Sequence, residues 1–371
     1  MMMLEDNSAG DHPLIVQWTG DISLNGRYCE PPAYTALAEN LGAIRGRLGE
    51  VDLRIVNWES PLWGDGGVNT LKVPRLCTTR DAAQSIVSLG IDVALLANNH
   101  AYDCLEAGFA NTIRFLDENG IRHLGAGGSE AEASAPLLLS RRGRRIGLLN
   151  YVACDTHPSL PEGAGVFLNM LDPERALREV VELAADCDAV LVHLHWGVDY
   201  FAFPTVWQRS FARRLIDSGA TVVVGHHSHC LQGQEGWGKG HVFYGLGNLV
   251  FGNIDPSRPW PAASRRAAVA QCRLAGGQVR SATMIPFYLE GDLLREDESP
   301  ARAHALQGLS KPLSLPDAQY ARYFARRRME YELVGKPIRF LRDAGGVIPA
   351  LSRLRWRHLR RIGGLLKNRG G

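Results

Sequence analysis

Short apolar runs of strand length alternate with longer stretches of helical periodicity from the start of the chain. The runs are LIVQWT (residues 14–19), LRIVNW (53–58), IDVALLAN (91–98), RRIGLLNYVA (144–153), AVLVHLHW (189–196) and TVVVG (221–225). Between them, residues 105–119 and 204–218 carry apolar positions at helical spacing and stop at Gly120 and Gly219, as helices commonly do. This alternation predicts an α/β fold in which helices turn their apolar faces to a sheet. After Gly252 the pattern changes. A Pro- and Trp-bearing stretch (residues 255–261), read as a solvent-exposed connector rather than a lid, precedes two further predicted strands over 266–274 and 278–289.

Polar, metal-capable residues recur at one place in this pattern, at or just after a strand end. Asp21 follows the first run, Glu59 the second, and Asn99 and His100 the third; His195 closes another, and His227 and His229 follow TVVVG. In open α/β sheets the ligand crevice lies at the carboxyl ends of the strands, so residues far apart in sequence are expected to converge there.

Each motif has a plain reading beside the chemical one. GHHSH sets His227 and His229 two apart after a strand, where both imidazoles can reach one or two metal ions; a single such pair is more often packed or surface histidine. ANNHAYD offers the Asn99 amide oxygen as a neutral ligand, His100 as a general acid and Asp103 to orient it; an Asx turn capping a helix uses the same residue types. Asp21 in TGDISLNG and Glu59 in NWESP are carboxylates at corresponding strand ends, of which one bridging two cations would offset their repulsion. Taken singly, a helix cap and an exposed acid explain them better. In HLHWG, His193 and His195 share one strand face; His195 is the expected ligand, and His193 is either behind it or a core residue with its hydrogen bonds made.

At 371 residues and 45% hydrophobic composition the chain is long enough for one large domain with an extension, or for two. The opening MMMLEDNSAGDH lacks the basic start and apolar core of a secretory signal, and no apolar run approaches the ~20 residues needed to span a bilayer, so a cytoplasmic protein is expected. Seven scattered cysteines with no CxxC pair read as reduced thiols, neither a disulfide framework nor a thiolate metal site. The net charge of +2 hides an asymmetry: from Arg322 onward there are 14 Lys and Arg against 3 acids, which leaves the remainder at −9. Within this basic tail, RYFARRRMEY and SRLRWRHLRR suit amphipathic helices against an anionic membrane surface, or against the acidic body of the same chain or a partner subunit; nucleic acid is not expected as a partner.

In order along the chain, TGDISLNG, NWESP, LANNHAYD, GIRHLGAG, HLHWGVDY, GHHSHCLQG and YGLGNLVF resemble the motifs of the CapA family of polyglutamate capsule-synthesis proteins, itself similar to calcineurin-like metallophosphatases. The resemblance covers residues 14–251. It implies an α/β, metallophosphatase-like β-sandwich flanked by helices over residues 13–290, after a flexible start (1–12) and before a basic helical C-terminal extension (291–371). It also implies a metal centre at one sandwich edge, with Asp21, Glu59, Asn99, His195, His227 and His229 as ligands, His100 and Asp103 as the catalytic pair, and Asn248 with His193 standing behind them. Three departures stand out. The metallophosphatase DxH is here Asp21-Ile22-Ser23, a Gly common after the catalytic Asp is replaced by Leu105, and the family's HWGxE ends in Asp199.

The oxygen and imidazole donors suit one or two manganese, zinc or iron ions better than calcium. The expected function is hydrolysis of a phosphoester in capsule or polymer metabolism, with His100 protonating the leaving group. The alternatives are a non-catalytic accessory role in polyglutamate or capsule synthesis and amide chemistry on a glutamyl polymer.

Overall fold

The computed structural model describes residues 12–253 and 262–343. The chain start, the connector over 255–261 and the SRLRWRHLRR tail lie outside the described residues. Among the described residues, sixteen strands are arranged in two large sheets and one small ribbon. The first sheet contains β1 (Leu14–Ser23), β2 (Leu53–Trp58), β3 (Val93–Leu95) and β4 (Arg122–Leu124), all parallel. The ribbon pairs β5 (Ala126–Gly127) with β8 (Phe167–Leu168). The second sheet is built from β6 (Leu137–Arg141), β7 (Arg144–Val152), β9 (Ala189–His195), β10 (Val222–His226), β11 (Gln234–Trp237) and β12 (Gly240–Phe243), in the order β11-β12-β10-β9-β7-β6. The chain then returns to the first sheet as β13 (Asn248–Phe251) beside β1, followed by the antiparallel β14 (Arg266–Ala275), β15 (Gln278–Glu290) and β16 (Leu293–Glu296).

The two sheets stack because each contributes an apolar face. Leu14, Val16, Trp18, Leu53, Ile55, Val93 and Leu95 meet Ile146, Leu148, Leu191, Val222, Val224 and Phe243 in one buried cluster. Alternate residues of the first sheet, among them Val56, Trp58 and Ala94, face a second cluster formed with α1 (Pro31–Leu48), α2 (Arg80–Val87) and α3 (Leu105–Glu118). Strands buried on both faces are therefore nearly continuous in apolar sequence, which is why LRIVNW and AVLVHLHW carry so little alternation. Short α4 (Glu130–Ser134) packs by the ribbon, while α5 (Pro173–Asp186) and α6 (Val206–Asp217) cover the second sheet. Thr205 and Gln208 cap the start of α6 reciprocally, which places the helix beginning two residues after Pro204. The structure thus has the two-layer sandwich flanked by helices that the resemblance implies.

The chain divides into two compact units, Met1–Tyr320 and Ala321–Gly371. The first includes α7 (Pro300–Ser310) and a following turn whose Leu313 carbonyl accepts from the buried Arg209 guanidinium at 2.8 Å. The described part of the second is helical, comprising the end of α8 (Asp317–Glu330), a π-turn at Tyr331–Gly335, and α9 (Lys336–Asp343). Several of its basic residues are paired locally, Arg326 and Arg327 with Glu330 and Lys336 with Glu332. Among the described residues no helix is long and apolar enough to cross a membrane.

One expectation is corrected. Cys77 and Cys104 form a disulfide, so the cysteines are not all free thiols and no longer argue for a reducing compartment. Their separation of 27 residues follows no sequence motif. The fold brings them together because Leu76 N–H donates to the Asp103 carboxylate at 2.7 Å, laying the segment before α2 against the turn before α3.

Candidate metal centre

The layer between the sheets is apolar along most of its length and turns polar at the carboxyl ends of the strands. Side chains on a strand alternate faces, so the positions that follow Leu53 and Ile55 toward the second sheet are Asn57 and then Glu59. On β9, His193 and His195 continue the face of Ala189 and Leu191; on β10, His226 continues that of Val222 and Val224. Asp21 reaches the same layer by a different route. Strict alternation from Trp18 would turn it toward the helices, but the register of β1 on β2 shifts between Trp18 and Asp21, and this bulge re-aims the carboxylate. Gly20 permits the bulge: a Cβ there would lie 2.2 Å from the Gly247 carbonyl, whose oxygen accepts from Asp21 N–H at 2.8 Å.

Nine side chains converge at this edge. Asp21 Oδ1 accepts from Asn57 Nδ2 at 2.8 Å and lies 3.1 Å from His226 Nδ1; its Oδ2 lies 3.3 Å from His229 Nδ1. Glu59 Oε1 is 3.6 Å from His195 Nε2 and 3.7 Å from His229 Nε2. Asn99 donates through Nδ2 to the Thr156 carbonyl at 3.1 Å, which turns its amide oxygen to His195 Nε2 at 2.9 Å. His227 Nε2 sits 3.3 Å from Asp199 Oδ1. His227 and His229 leave β10 through a turn with φ of 84° and 50°, a left-handed conformation that non-glycine residues adopt at a cost and that clusters at functional sites.

The donors form three overlapping triads: Asp21, Glu59 and His229; Glu59, His195 and His227; and Asp199, His227 and His229. Within each, the ligand-capable atoms lie within 4.8 Å of one another. Glu59 is common to the first two, the position of a carboxylate shared between two cations. It is fully buried, and among the described residues neither of its oxygens receives a hydrogen bond; Asn57 Oδ1, His226 Nε2 and His227 Nδ1 are likewise buried without a partner. Buried polar atoms are nearly always satisfied, so this group of orphans, all lone-pair donors, fits a divalent cation.

The electrostatics agree with that fit. Burial and the neighbouring Asp21 outweigh the pull of His229 and hold the Glu59 carboxyl well above its usual range. Burial would also raise Asp21, but hydrogen bonds from His226 and His229 dominate and keep it well below. Burial acts to lower His229, yet Glu59 and Asp21 raise it to about 10, so in the metal-free protein a proton occupies the place of positive charge. Burial lowers His227 to about 4 and also lowers His195, leaving neutral imidazoles of the kind that ligate metals.

His100 and Asp103 lie beside the cluster on the turn after β3. His100 Nδ1 pairs with Asp103 Oδ2 at 2.6 Å, leaving Nε2 as the ring atom that can deliver a proton. Asn248, at the start of β13, accepts from His229 Nδ1 at 2.8 Å and so turns Nε2 of that ring toward Glu59. Ser23, in the place of the DxH histidine, donates to Asn25 Oδ1 at 2.8 Å, while an imidazole comes to Asp21 from the opposite sheet as His226. Asn57, His226 and Asp199 are not among the ligands expected from sequence.

His193 stands apart from the cluster. Its Nε2 accepts from Trp18 Nε1 at 2.9 Å and its Nδ1 donates to the Leu149 carbonyl at 2.9 Å, so both ring nitrogens are used in the core. Burial lowers its pKa to about 3 against 6.5 when unfolded. A histidine held neutral in this way contributes stability that is fully present above the unfolded value and is lost as pH falls from about 6.5 toward 3. Urea midpoints are expected to drop over this interval with or without metal, and more shallowly in His193→Gln.

Residues 16–253, well over half of the chain, match the family model described as bacterial capsule synthesis protein PGA_cap. Among curated relatives, the PGA biosynthesis protein CapA of Bacillus subtilis is 28% identical over 65% of this chain and 64% of its own length. The capsule biosynthesis protein CapA of Bacillus anthracis is 27% identical over 53% of this chain and 49% of its own. The chain thus spans between about half and just under two thirds of these relatives. Among solved structures, a 5'-nucleotidase precursor from Thermus thermophilus superposes with a TM-score of 0.45 at 19% identity, covering 81% of this chain and 59% of that one. On the extent of the family match, the chain belongs to the bacterial capsule synthesis protein family, PGA_cap.

Proposed function

We propose that the protein is a divalent-metal-dependent hydrolase acting on a phosphoester in capsule or polymer metabolism. The observation that carries this reading is Glu59, a buried carboxylate with both oxygens unpartnered, shared by two donor triads at the sandwich edge. Asp21, Glu59, Asn99, His195, His227 and His229 would hold one or two ions. Oxygen and imidazole donors without thiolate favour manganese, zinc or iron. A cation there supplies Lewis acidity and lowers the pKa of water for attack on phosphorus.

The chain's own residues do the remainder. Asn248 and Asn57 fix the orientations of His229 and Asp21. His100, held by Asp103, gives a proton from Nε2 to the departing oxygen. A glutamyl polymer substrate is a second reading, favoured by the description of the Bacillus subtilis relative as a PGA biosynthesis protein.

Elemental analysis of protein purified without chelator tests the centre, alongside Asp21→Ala and His227→Ala, with phosphoester turnover measured in manganese. Near-stoichiometric metal that both variants lose, together with metal-dependent turnover, is the expected result. Metal without turnover of any phosphoester would leave an accessory role in polymer synthesis; folded protein with no metal would overturn the centre itself.

A further inference from the structure

Lys72 lies on the connection between β2 and α2 and is only 7% exposed. Three hydrogen bonds fix that connection on both sides. Asn69 N–H donates to the Asp103 carbonyl at 2.9 Å and Leu76 N–H to Asp103 Oδ2 at 2.7 Å, while Asn69 Nδ2 donates to the Ser159 carbonyl at 2.6 Å. The segment is therefore stretched between the His100–Asp103 turn and the segment after Thr156, the residue whose carbonyl orients Asn99. Lys72 sits in the middle of this span, and its ammonium donates to the His157 carbonyl at 3.2 Å.

Among the described residues this is the one hydrogen bond of the ammonium, which leaves two of its three N–H donors for something else. Among the described residues no carboxylate lies within ion-pairing distance of Nζ. The acids whose charge it feels are Asp103, Glu59 and Asp199, all belonging to the candidate centre. Asp103 is already held by His100 and Leu76, and Glu59 lies in the cation triads. Burial pulls the lysine below its usual pKa, against the opposing pull of those acids. A buried cation without a counter-ion is costly, and the cost is met when an anion enters beside it.

We infer that Lys72 binds an oxyanion of the substrate next to the metal centre, acting as a point-charge anchor for the group that the centre attacks. This rests on the proposed hydrolase reading, in which that oxyanion belongs to a phosphoryl group. A carboxylate of a glutamyl polymer offers the same chemistry, and direct binding measurements separate the two.

The experiment is calorimetric titration of manganese-loaded protein with inorganic phosphate and, separately, with a short γ-glutamyl oligomer. Wild type, Lys72→Met and Lys72→Arg are compared, with metal content and circular dichroism recorded for each; Lys72→Gln replaces the Met variant if that does not fold. Loss of one charge-assisted contact predicts phosphate affinity weakened about 10- to 100-fold in Lys72→Met, with most of it kept in Lys72→Arg and metal content unchanged. If the oligomer binds in place of phosphate and shows the same dependence, the anchor stands and the phosphoester reading falls. Affinity for both probes unchanged in a folded, metal-loaded Met or Gln variant overturns the proposal and leaves Lys72 a structural residue.

Discussion

Glu59→Gln is expected to reduce phosphoester kcat/KM by about 10³-fold or more and to remove the stabilisation that manganese gives the folded protein, while leaving the metal-free protein as stable as before or more so. The opposite signs follow from one fact. In the metal-free protein Glu59 is a fully buried carboxyl whose oxygens accept no hydrogen bond among the described residues, and burial together with Asp21 disfavours its charged form. An amide of the same shape carries a smaller penalty than a buried charge does. With metal present the same carboxylate belongs to two donor triads at once, so its removal disrupts both. A ligand that binds only the folded state stabilises it by about 4 kcal/mol at 1,000 times its dissociation constant, and a neutral amide forfeits most of that. Thermal unfolding with and without manganese, for wild type and variant, reads both signs in one experiment. A manganese-induced shift that survives in Glu59→Gln would remove Glu59 from the ligand set.

The parts of this site that are legible in sequence are those reached by unbroken strand geometry. The step from Ile55 through Asn57 to Glu59 keeps one face of β2, and His195 keeps the face of Leu191, so a reader of strand ends finds both. Asp21 is found because it follows a strand, but the reason it faces the second sheet is not visible there. That depends on a bulge made possible by Gly20 lying against Gly247, residues more than two hundred positions apart. His226 escapes such a reading for the reverse reason. It is the last residue of β10 and lies in register with His195, yet in GHHSH the eye goes to the two histidines beyond the strand. The fold class is carried by the alternation of short apolar runs and helices. The disulfide and the placement of Lys72 both depend on a connection without regular secondary structure, whose path is set by bonds to Asp103 and Ser159 that no periodicity announces.

His100→Asn is expected to slow hydrolysis of an alkyl phosphoester by about 10²- to 10⁴-fold, the usual contribution of a positioned general acid, and to leave a nitrophenyl ester far less affected. An alkoxide leaving group needs a proton as it departs, whereas a nitrophenolate does not; a residue that merely supported the metal centre would slow both substrates alike. Metal content should stay unchanged, because Nδ1 of His100 is committed to Asp103 and the ring belongs to none of the donor triads. The pH dependence gives a second, independent reading. Burial lowers the pKa of His100 below 6.5, only partly offset by its hydrogen bond to Asp103. The ring must carry its proton to act as an acid, so the ratio of wild-type to variant rate on the alkyl substrate should be largest in mildly acidic solution. Above the His100 pKa that ratio should shrink about tenfold per pH unit. Asp103→Asn leaves the imidazole in place but removes the charge that holds its proton, so it should move the fall of the ratio to lower pH. A ratio independent of both pH and leaving group would assign the proton transfer to another residue.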